Sequence, residues 1–309
     1  MRTLLVAAFV AAFAAEMLVA WGQVTFRSGV EVVRLDVSVT RGGRPVTGLT
    51  ADDFDVRDAG VPQHMDGVLV EKLPLSVVLV LDMSWSVDGT VLRHLVEAAQ
   101  TLAAAIRPAD RAALITFSKG VTVRVPLTTD VSTIRSALAS LAVEENHTAL
   151  RDAVSTALRL VVGHETRPLV MAFTDGCDNS SRISESDVLD TARRIRVVMH
   201  AIMLGDCGRS GAASPGRPNG TGRAELDRLA FLQSVVGSTG GRLWLLESTS
   251  SRQLPQSFTR ALDEMRARYV LTYYPQGVAR DGWHELKVRL KRGRADIKAR
   301  SGYFVPPRE

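Results

Sequence analysis

The stretch "VLVLDMSWSVDG", residues 78–89, decides how the chain is to be read. Its first four residues are apolar without a break, as in a strand covered on both faces of a parallel sheet. An acid and two hydroxyls then follow at alternate positions: Asp82, Ser84 and Ser86. Around it, "SVVLVL", "AALITF", "LVMAF" and "VVMHAIML" repeat the apolar run after Pro74. Helical patterns lie between them. Residues 90–106 carry Val91, Leu92, Leu95, Val96, Ala99, Leu102 and Ile106 at three-to-four-residue spacing, with Pro108 just beyond. Residues 131–141 and 149–162 repeat this pattern, and "SESDVLDTARRI" opens with Ser184 as N-cap and acids in its first turn. Strand and helix alternate from about 75 to 268, which predicts an α/β fold with a doubly wound, mostly parallel central sheet flanked by helices. "VTVRVPL", 121–127, reads as an edge strand, since Pro126 cannot serve a central ladder.

Outside that region the period changes to two. In "VVRLDVSVT", Val33, Leu35, Val37 and Val39 alternate with polar residues, predicting a half-buried strand. The turn "RGGRP" follows, and "VTGLTADDFDVRDAGVPQ" brackets a short strand at Phe54 and Val56. Beyond a last helix with Phe258, Leu262, Met265 and Tyr269 on one face, Leu286, Val288 and Leu290 alternate with Lys287, Arg289 and Lys291. The two flanks are expected to pair into one small β subdomain, the basic residues forming its wet face. The expected organisation is 1–22 leader, 23–73 N-terminal flank, 74–268 α/β domain and 269–309 C-terminal flank. The Gly/Pro/Ser-rich "GRSGAASPGRPNGTG", 208–222, reads as a mobile loop.

The composition is that of a globular protein: 309 residues, 46% hydrophobic and 23% charged, enough for one large domain with an appendage. "MRTLLVAAFVAAFAAEMLVAWGQ" has a basic residue, an apolar core from Leu4 to Ala15 and small residues up to Gly22, the form of a secretory signal cut after Gly22. An uncleaved anchor is the rival reading, but a spanning helix needs about 20 apolar residues and Glu16 interrupts this one. The mature chain, without a transmembrane segment, is therefore expected to be secreted or periplasmic. The net charge of +5 is scattered among 33 acids and unaccompanied by stacking aromatics, which argues against nucleic-acid binding.

Ligands of open α/β sheets bind outside the carboxyl ends of the strands, where the winding order reverses. Asp82, Ser84 and Ser86 follow the first apolar strand, Asp175 follows "LVMAFT", Asp206 follows "HAIMLG", and Thr148 opens a helix in "ENHTALRDA". Singly, each has an ordinary role in a cap or turn. Jointly, acids and hydroxyls with no Cys or His suit a hard, six-coordinate cation such as Mg²⁺, with Mn²⁺ or Ca²⁺ as alternatives.

The DxSxS pattern, a Thr in a later loop and the Asp of "FTDG" resemble the metal-ion-dependent adhesion site of von Willebrand factor A-like domains over roughly 75–268. The flanks "GRPVTGLTADDFDVRDAGVPQ" and "YVLTYYP…DGWHELKVRLKRGRADIKARSGYF" resemble those of secreted von Willebrand factor A-related proteins of Acidobacteria. The resemblance implies Ser84, Ser86 and Thr148 as direct ligands, with Asp82 and Asp175 acting through water or hydrogen bonds. A metal held mainly by neutral hydroxyls stays electrophilic and seeks an anionic oxygen, such as a partner's carboxylate. Trp85 and His147 depart from the small residues more usual there and are candidate partner contacts. Trp85 either stands exposed beside the metal or packs under the loop; imidazole has little use in a hard-oxygen site.

Cys177 and Cys207, the only cysteines, lie past Asp175 and Asp206 at the ends of strands expected to be neighbours. Strands about 4.8 Å apart suit a disulfide, which would brace the third metal loop. The leading function is a non-enzymatic, metal-dependent module for protein binding or adhesion. The alternatives are a metal-dependent hydrolase, for which no HExxH, GxSxG or phosphate loop exists and no general base is evident, and a structural module with an idle site.

Overall fold

A computed structural model describes residues 32–87, 89–144, 147–161, 165–204, 221–246 and 253–307. The expected signal segment, residues 208–220 of the expected loop 208–222, Asp206 and Cys207 lie outside the described residues; Thr221 and Gly222, the last two residues of that expected loop, instead begin a helix. The central sheet is built from β6 (Leu75–Asp82), β7 (Arg111–Phe117), β8 (Val121–Thr128), β9 (Arg167–Thr174), β10 (Val198–Leu204) and β11 (Leu243–Leu246), in the order β11-β10-β9-β6-β7-β8. All neighbours run parallel except β8, which pairs antiparallel with β7 at the edge, as Pro126 requires.

The helices are α1 (Thr90–Ala104), α2 (Val131–Ala139), α3 (Leu150–Leu160), α4 (Glu185–Arg194), α5 (Thr221–Thr239) and α6 (Gln253–Arg266). Alternate residues of a strand face opposite sides, so β6 feeds two cores at once. Val77, Leu79 and Leu81 pack with Leu95 and Leu102 of α1, Ile134 of α2 and Phe258 and Leu262 of α6. Val78 and Val80 pack on the other side with Val154 and Leu158 of α3, Val188 of α4 and Val235 of α5. Uninterrupted apolar strands are the direct result of this double burial. The helix starts are chemically marked: Asp130 caps α2 by accepting from the Ser132 N–H at 3.0 Å, and Ser184 caps α4 by accepting from the Asp187 N–H at 3.2 Å. From β6 the chain winds to β7 and β8 on one side, then to β9, β10 and β11 on the other. The reversal falls between β6 and β9, at Asp82 and Asp175.

The flanks form two further sheets. One has the order β14 (Asp296–Lys298), β1 (Val33–Arg41), β12 (Tyr269–Tyr273), β5 (Gly67–Val70), with β2 (Arg44–Pro45) also on β1; the other runs β15 (Gly302–Val305), β13 (Gly282–Leu290), β3 (Phe54–Asp58), β4 (Val61–Gln63). Strands from the two chain ends interleave, with Val37 opposite Tyr269 and Val56 opposite Val288. Tyr269, expected on the last helix, instead opens β12. The helix stops at Arg266, and the aromatic and β-branched "YVLTY" that follows is strand material flanked by two partners, β1 and β5. Because β5 leads through 71–74 into the start of β6, and β12 follows the end of α6, the flank sits at the amino-terminal edge of the central sheet.

The flank core encloses a polar knot. Asp58, fully buried, accepts from the hydroxyls of Tyr273 at 2.8 Å and Tyr303 at 2.7 Å, and pairs with His284 Nδ1 at 2.8 Å. The His284 ring stacks on Tyr303 with centroids 4.7 Å apart. One carboxylate thus ties β3, β12, β13 and β15. Between flank and α/β layer, the fully buried Arg268 donates to Glu264 at 3.0 Å and to the Gly240 carbonyl at 2.7 Å, while Arg242 bridges Glu264 at 3.2 Å and Asp296 at 2.6 Å. Arg193 and Arg194, closing α4, lie over the rings of Trp283 and Phe304, the latter at 4.2 Å.

His200, buried in β10, accepts the Arg242 N–H at Nδ1 (2.9 Å) and is therefore neutral. Burial first, then the Arg268 and Arg242 charges, push its pKa down to about 3 against the pull of Glu264. The unfolded chain binds the proton near pH 6.5 and the folded chain does not, so stability is complete above pH 6.5 and is lost as pH falls. Lowering pH from 6.5 to 5 should remove about 2 kcal/mol through this residue. Urea unfolding at both pH values checks this: His200→Gln, which keeps an acceptor and loses the basic nitrogen, should show a pH dependence smaller by that amount.

Candidate metal centre

Asp82 is the last residue of β6, and its position follows from the strand: an apolar run can afford an acid only where it leaves the core. The side chain is nevertheless fully buried. Its Oδ1 accepts from the Ser84 N–H at 3.0 Å and the Ser84 hydroxyl at 2.6 Å, and its Oδ2 accepts from the Thr174 hydroxyl at 2.8 Å. Ser84 Oγ lies 3.0 Å from Ser86 Oγ. Asp82, Ser84 and Ser86 therefore form one connected row, turned by the short 3₁₀ segment Trp85–Val87. A serine hydroxyl that gives its proton to a carboxylate presents its lone pairs outward, as a ligand to a cation must.

The third loop begins at Asp175. Gly176, with φ of 80°, makes the turn there, its N–H donating to Thr174 Oγ1 at 3.0 Å, and Asp175 Oδ1 accepts the Cys177 N–H at 2.9 Å. Thr148 is buried, and the structure caps α3 with Ala149, so Thr148 is not a cap. Asn179 grips it instead, its Oδ1 accepting the Thr148 N–H at 2.8 Å and its own N–H donating to the Thr148 carbonyl at 3.0 Å. The second and third loops are thereby stitched together.

The charge balance points the same way. Burial pushes the Asp82 pKa up to about 7, and the nearby Asp175 carboxylate adds to the rise, against the hydrogen bonds from Ser84 and Thr174. Among the described residues neither acid has an ion-pair partner, and Asp82 is surrounded by the hydroxyl oxygens of Ser84 and Thr174, so the residues present fit a hard dication. Among the described residues, no group of three or more His, Cys, Asp and Glu side chains is assembled for a metal.

Sequence reasoning missed four supporting residues: Thr174, Asn179, Ser118 and Glu144. Glu144 joins three segments. Its N–H donates to the Met83 carbonyl at 2.9 Å, its carbonyl accepts the Trp85 indole N–H at 3.2 Å, and its side chain accepts from Ser118 at 2.7 Å and pairs with Arg124. Ser118 in turn accepts the Ala149 N–H at its carbonyl, 2.7 Å. Only its many partners mark Glu144, and these are not adjacent in sequence. Trp85 is 58% exposed, which decides for the exposed orientation over packing under the loop; His147 is exposed as well.

Residues 77–192 match the von Willebrand factor type A domain family model. No curated protein sequence matches the chain. Among solved structures, the proximal thread matrix protein 1 of the mussel byssus, in a form described as having a zinc-occupied MIDAS motif, superposes with a TM-score of 0.50 at 16% identity, covering 66% of this chain and 48% of that one. BatB from Bacteroides thetaiotaomicron gives 0.47 at 16% identity, covering 62% and 98%. Together with the sheet order, the family match makes this chain von Willebrand factor A-like in its α/β layer.

Proposed function

We propose that the chain is a secreted or periplasmic, metal-dependent binding module. In this reading, Ser84, Ser86 and Thr148 hold a divalent cation, Mg²⁺ first and Mn²⁺ or Ca²⁺ as substitutes, with Asp82 and Asp175 behind them. A carboxylate of a partner protein completes the shell. The observation that carries this is the Asp82–Ser84–Ser86 row at the reversal of the sheet, ending in a buried carboxylate short of positive charge. Domains of this kind are generally interaction modules and not enzymes. Glu144, the carboxylate that could serve as a base nearby, is committed to Ser118 and Arg124. The Cys177–Cys207 bridge, one end of which lies outside the described residues, would brace the third loop; free-thiol titration under denaturing, non-reducing conditions should find no thiol.

Calorimetric titration of the apo-protein with Mg²⁺ and Mn²⁺ tests the reading: saturable one-site binding is expected, and no heat with either ion refutes it. Pull-down from the native envelope should recover a partner with Mg²⁺ and lose it with chelator. Trp85→Ala should weaken capture of that partner by about 2 kcal/mol, the scale of an aromatic hot spot, while leaving cation affinity within about twofold.

A further inference from the structure

The "RGGR" turn at 41–44 and the "KRGR" turn at 291–294 are some 250 residues apart in sequence and adjacent in the fold. The ladder pairs Thr40 with Asp296 in β1 and β14, and Arg41 with Arg44 across the first turn. Arg41 Nε donates to the Arg294 carbonyl at 3.2 Å. Gly293, at φ of 78°, is needed for its backbone, and a Cβ there would touch the Arg41 guanidinium at 3.4 Å. Arg41, Arg44, Lys291, Arg292 and Arg294 are all exposed.

Two of the nearby acids are paired with other cations, and the third, Asp53, is held by Thr50 while its charge attracts Lys291 and Arg292. Asp53, which feels Lys291 and Arg292, accepts at Oδ2 from the Thr50 N–H and hydroxyl at 2.8 and 3.1 Å. Asp55 lies 3.7 Å from Arg57, and Asp296 reaches inward to Arg242 at 2.6 Å. Five cations without an ion pair among the described residues are gathered where like charges repel, and the fold holds them there through both turns. A wet strand face explains Lys287 and Arg289, which alternate along β13, but not two glycine turns brought tip to tip.

We propose that this paired turn is a docking surface for a bilayer with anionic phosphate headgroups. Two adjacent tips carrying long, mobile cations suit a flat negative surface, with each charge near it strengthening attachment about fivefold. Among the described residues the cation–π contacts belong to Arg193 and Arg194 and to none of the five cations, which disfavours stacking on single-stranded nucleic acid. The place in the fold also fits. The turns anchor through Arg242 at the amino-terminal end of β11, whereas the metal row lies at the carboxyl ends of β6 and β9, so a membrane-bound molecule keeps its metal edge free.

The test is co-sedimentation of the chain from Gln23 onward, which retains the whole compact unit beginning at Val32 and omits the apolar leader that could itself enter lipid. Chelator is present throughout, so loss of the metal site cannot affect the outcome. Binding is expected to vesicles of phosphatidylglycerol with phosphatidylcholine, to vanish at high salt, and to be absent with phosphatidylcholine alone. Arg292→Ala with Arg294→Ala should weaken it about 30-fold, and Lys291→Ala with Arg44→Ala likewise should one pair fail to fold. Arg159→Ala with Arg260→Ala removes equal charge from α3 and α6 and should change it less than threefold. An equal loss in that control, or no loss in either turn pair, overturns the proposal. So does displacement by millimolar inorganic phosphate, which would mean a free-phosphate site, or tighter turn-dependent binding to duplex DNA than to vesicles.

Discussion

Asp82→Asn is expected to weaken Mg²⁺ binding at least about 100-fold while leaving the metal-free protein as stable as before or more so. The amide keeps the size of the carboxylate and one acceptor for Ser84 or Thr174, so the row of hydroxyls persists. It removes the charge, and with it the strong hydrogen bond that turns the Ser84 lone pairs outward. Residues that orient ligands from behind commonly carry 10- to 100-fold in metal affinity, and here the same group also supplies charge. The stability half follows from burial: an ionised carboxylate in this position is held against desolvation and against Asp175, and the neutral amide is relieved of both. Calorimetry with Mg²⁺ and thermal melting in chelator read the two halves separately. Affinity within tenfold of the parent would remove Asp82 from the site, whereas a melting point many degrees lower in chelator would mark it as structural only.

The second large effect lies at the other end of the molecule. Asp58→Ala should cost about 3–5 kcal/mol, because it leaves two tyrosine hydroxyls and an imidazole nitrogen buried with no acceptor in common, each unsatisfied group carrying about 1–3 kcal/mol. For a chain of this size that lowers the melting temperature by roughly 10 °C. Tyr303→Phe removes a single donor and leaves Asp58 with Tyr273 and His284, so a loss near 1 kcal/mol is expected. Urea denaturation of the two variants decides: equal losses would mean that the carboxylate does not act as the common node. Mg²⁺ affinity should be untouched in Tyr303→Phe, since the knot and the metal row sit at opposite edges of the sheet.

The α/β layer was legible because its strands are buried on both faces, and a parallel sheet under helices leaves short runs such as "VVLVL" and "LVMAF" apolar at every position. That topology also brought Asp82, Ser84, Ser86 and Asp175 within reach of a sequence argument, since strand ends at a reversal of winding are brought together by the fold itself. Thr148 was harder: an isolated threonine before a helix has the look of a cap, and only the grip of Asn179 distinguishes it. Glu144 and Asp58 could not be found at all, because their partners are spread over dozens to hundreds of residues. Tyr269 misled for a related reason. It continues the spacing of Phe258, Leu262 and Met265 at one helical turn, and strand pairing with Val37 and Val70 overrides that periodicity.

The interleaving of the two chain ends also sets a timetable. Val37 has no partner until Tyr269 exists, and the second flank sheet cannot close before Val305. A ribosome adding about 5–20 residues per second needs on the order of ten seconds to a minute to cover that interval. Throughout it β1 and β3 are paired only with their short local neighbours β2 and β4 and keep an open edge, while the central sheet can already assemble. Closing contacts of such long sequence separation is slow, so the flank should be the last region to acquire protection from amide exchange, and a chain truncated before residue 269 should expose β1 and β3 as adhesive strands.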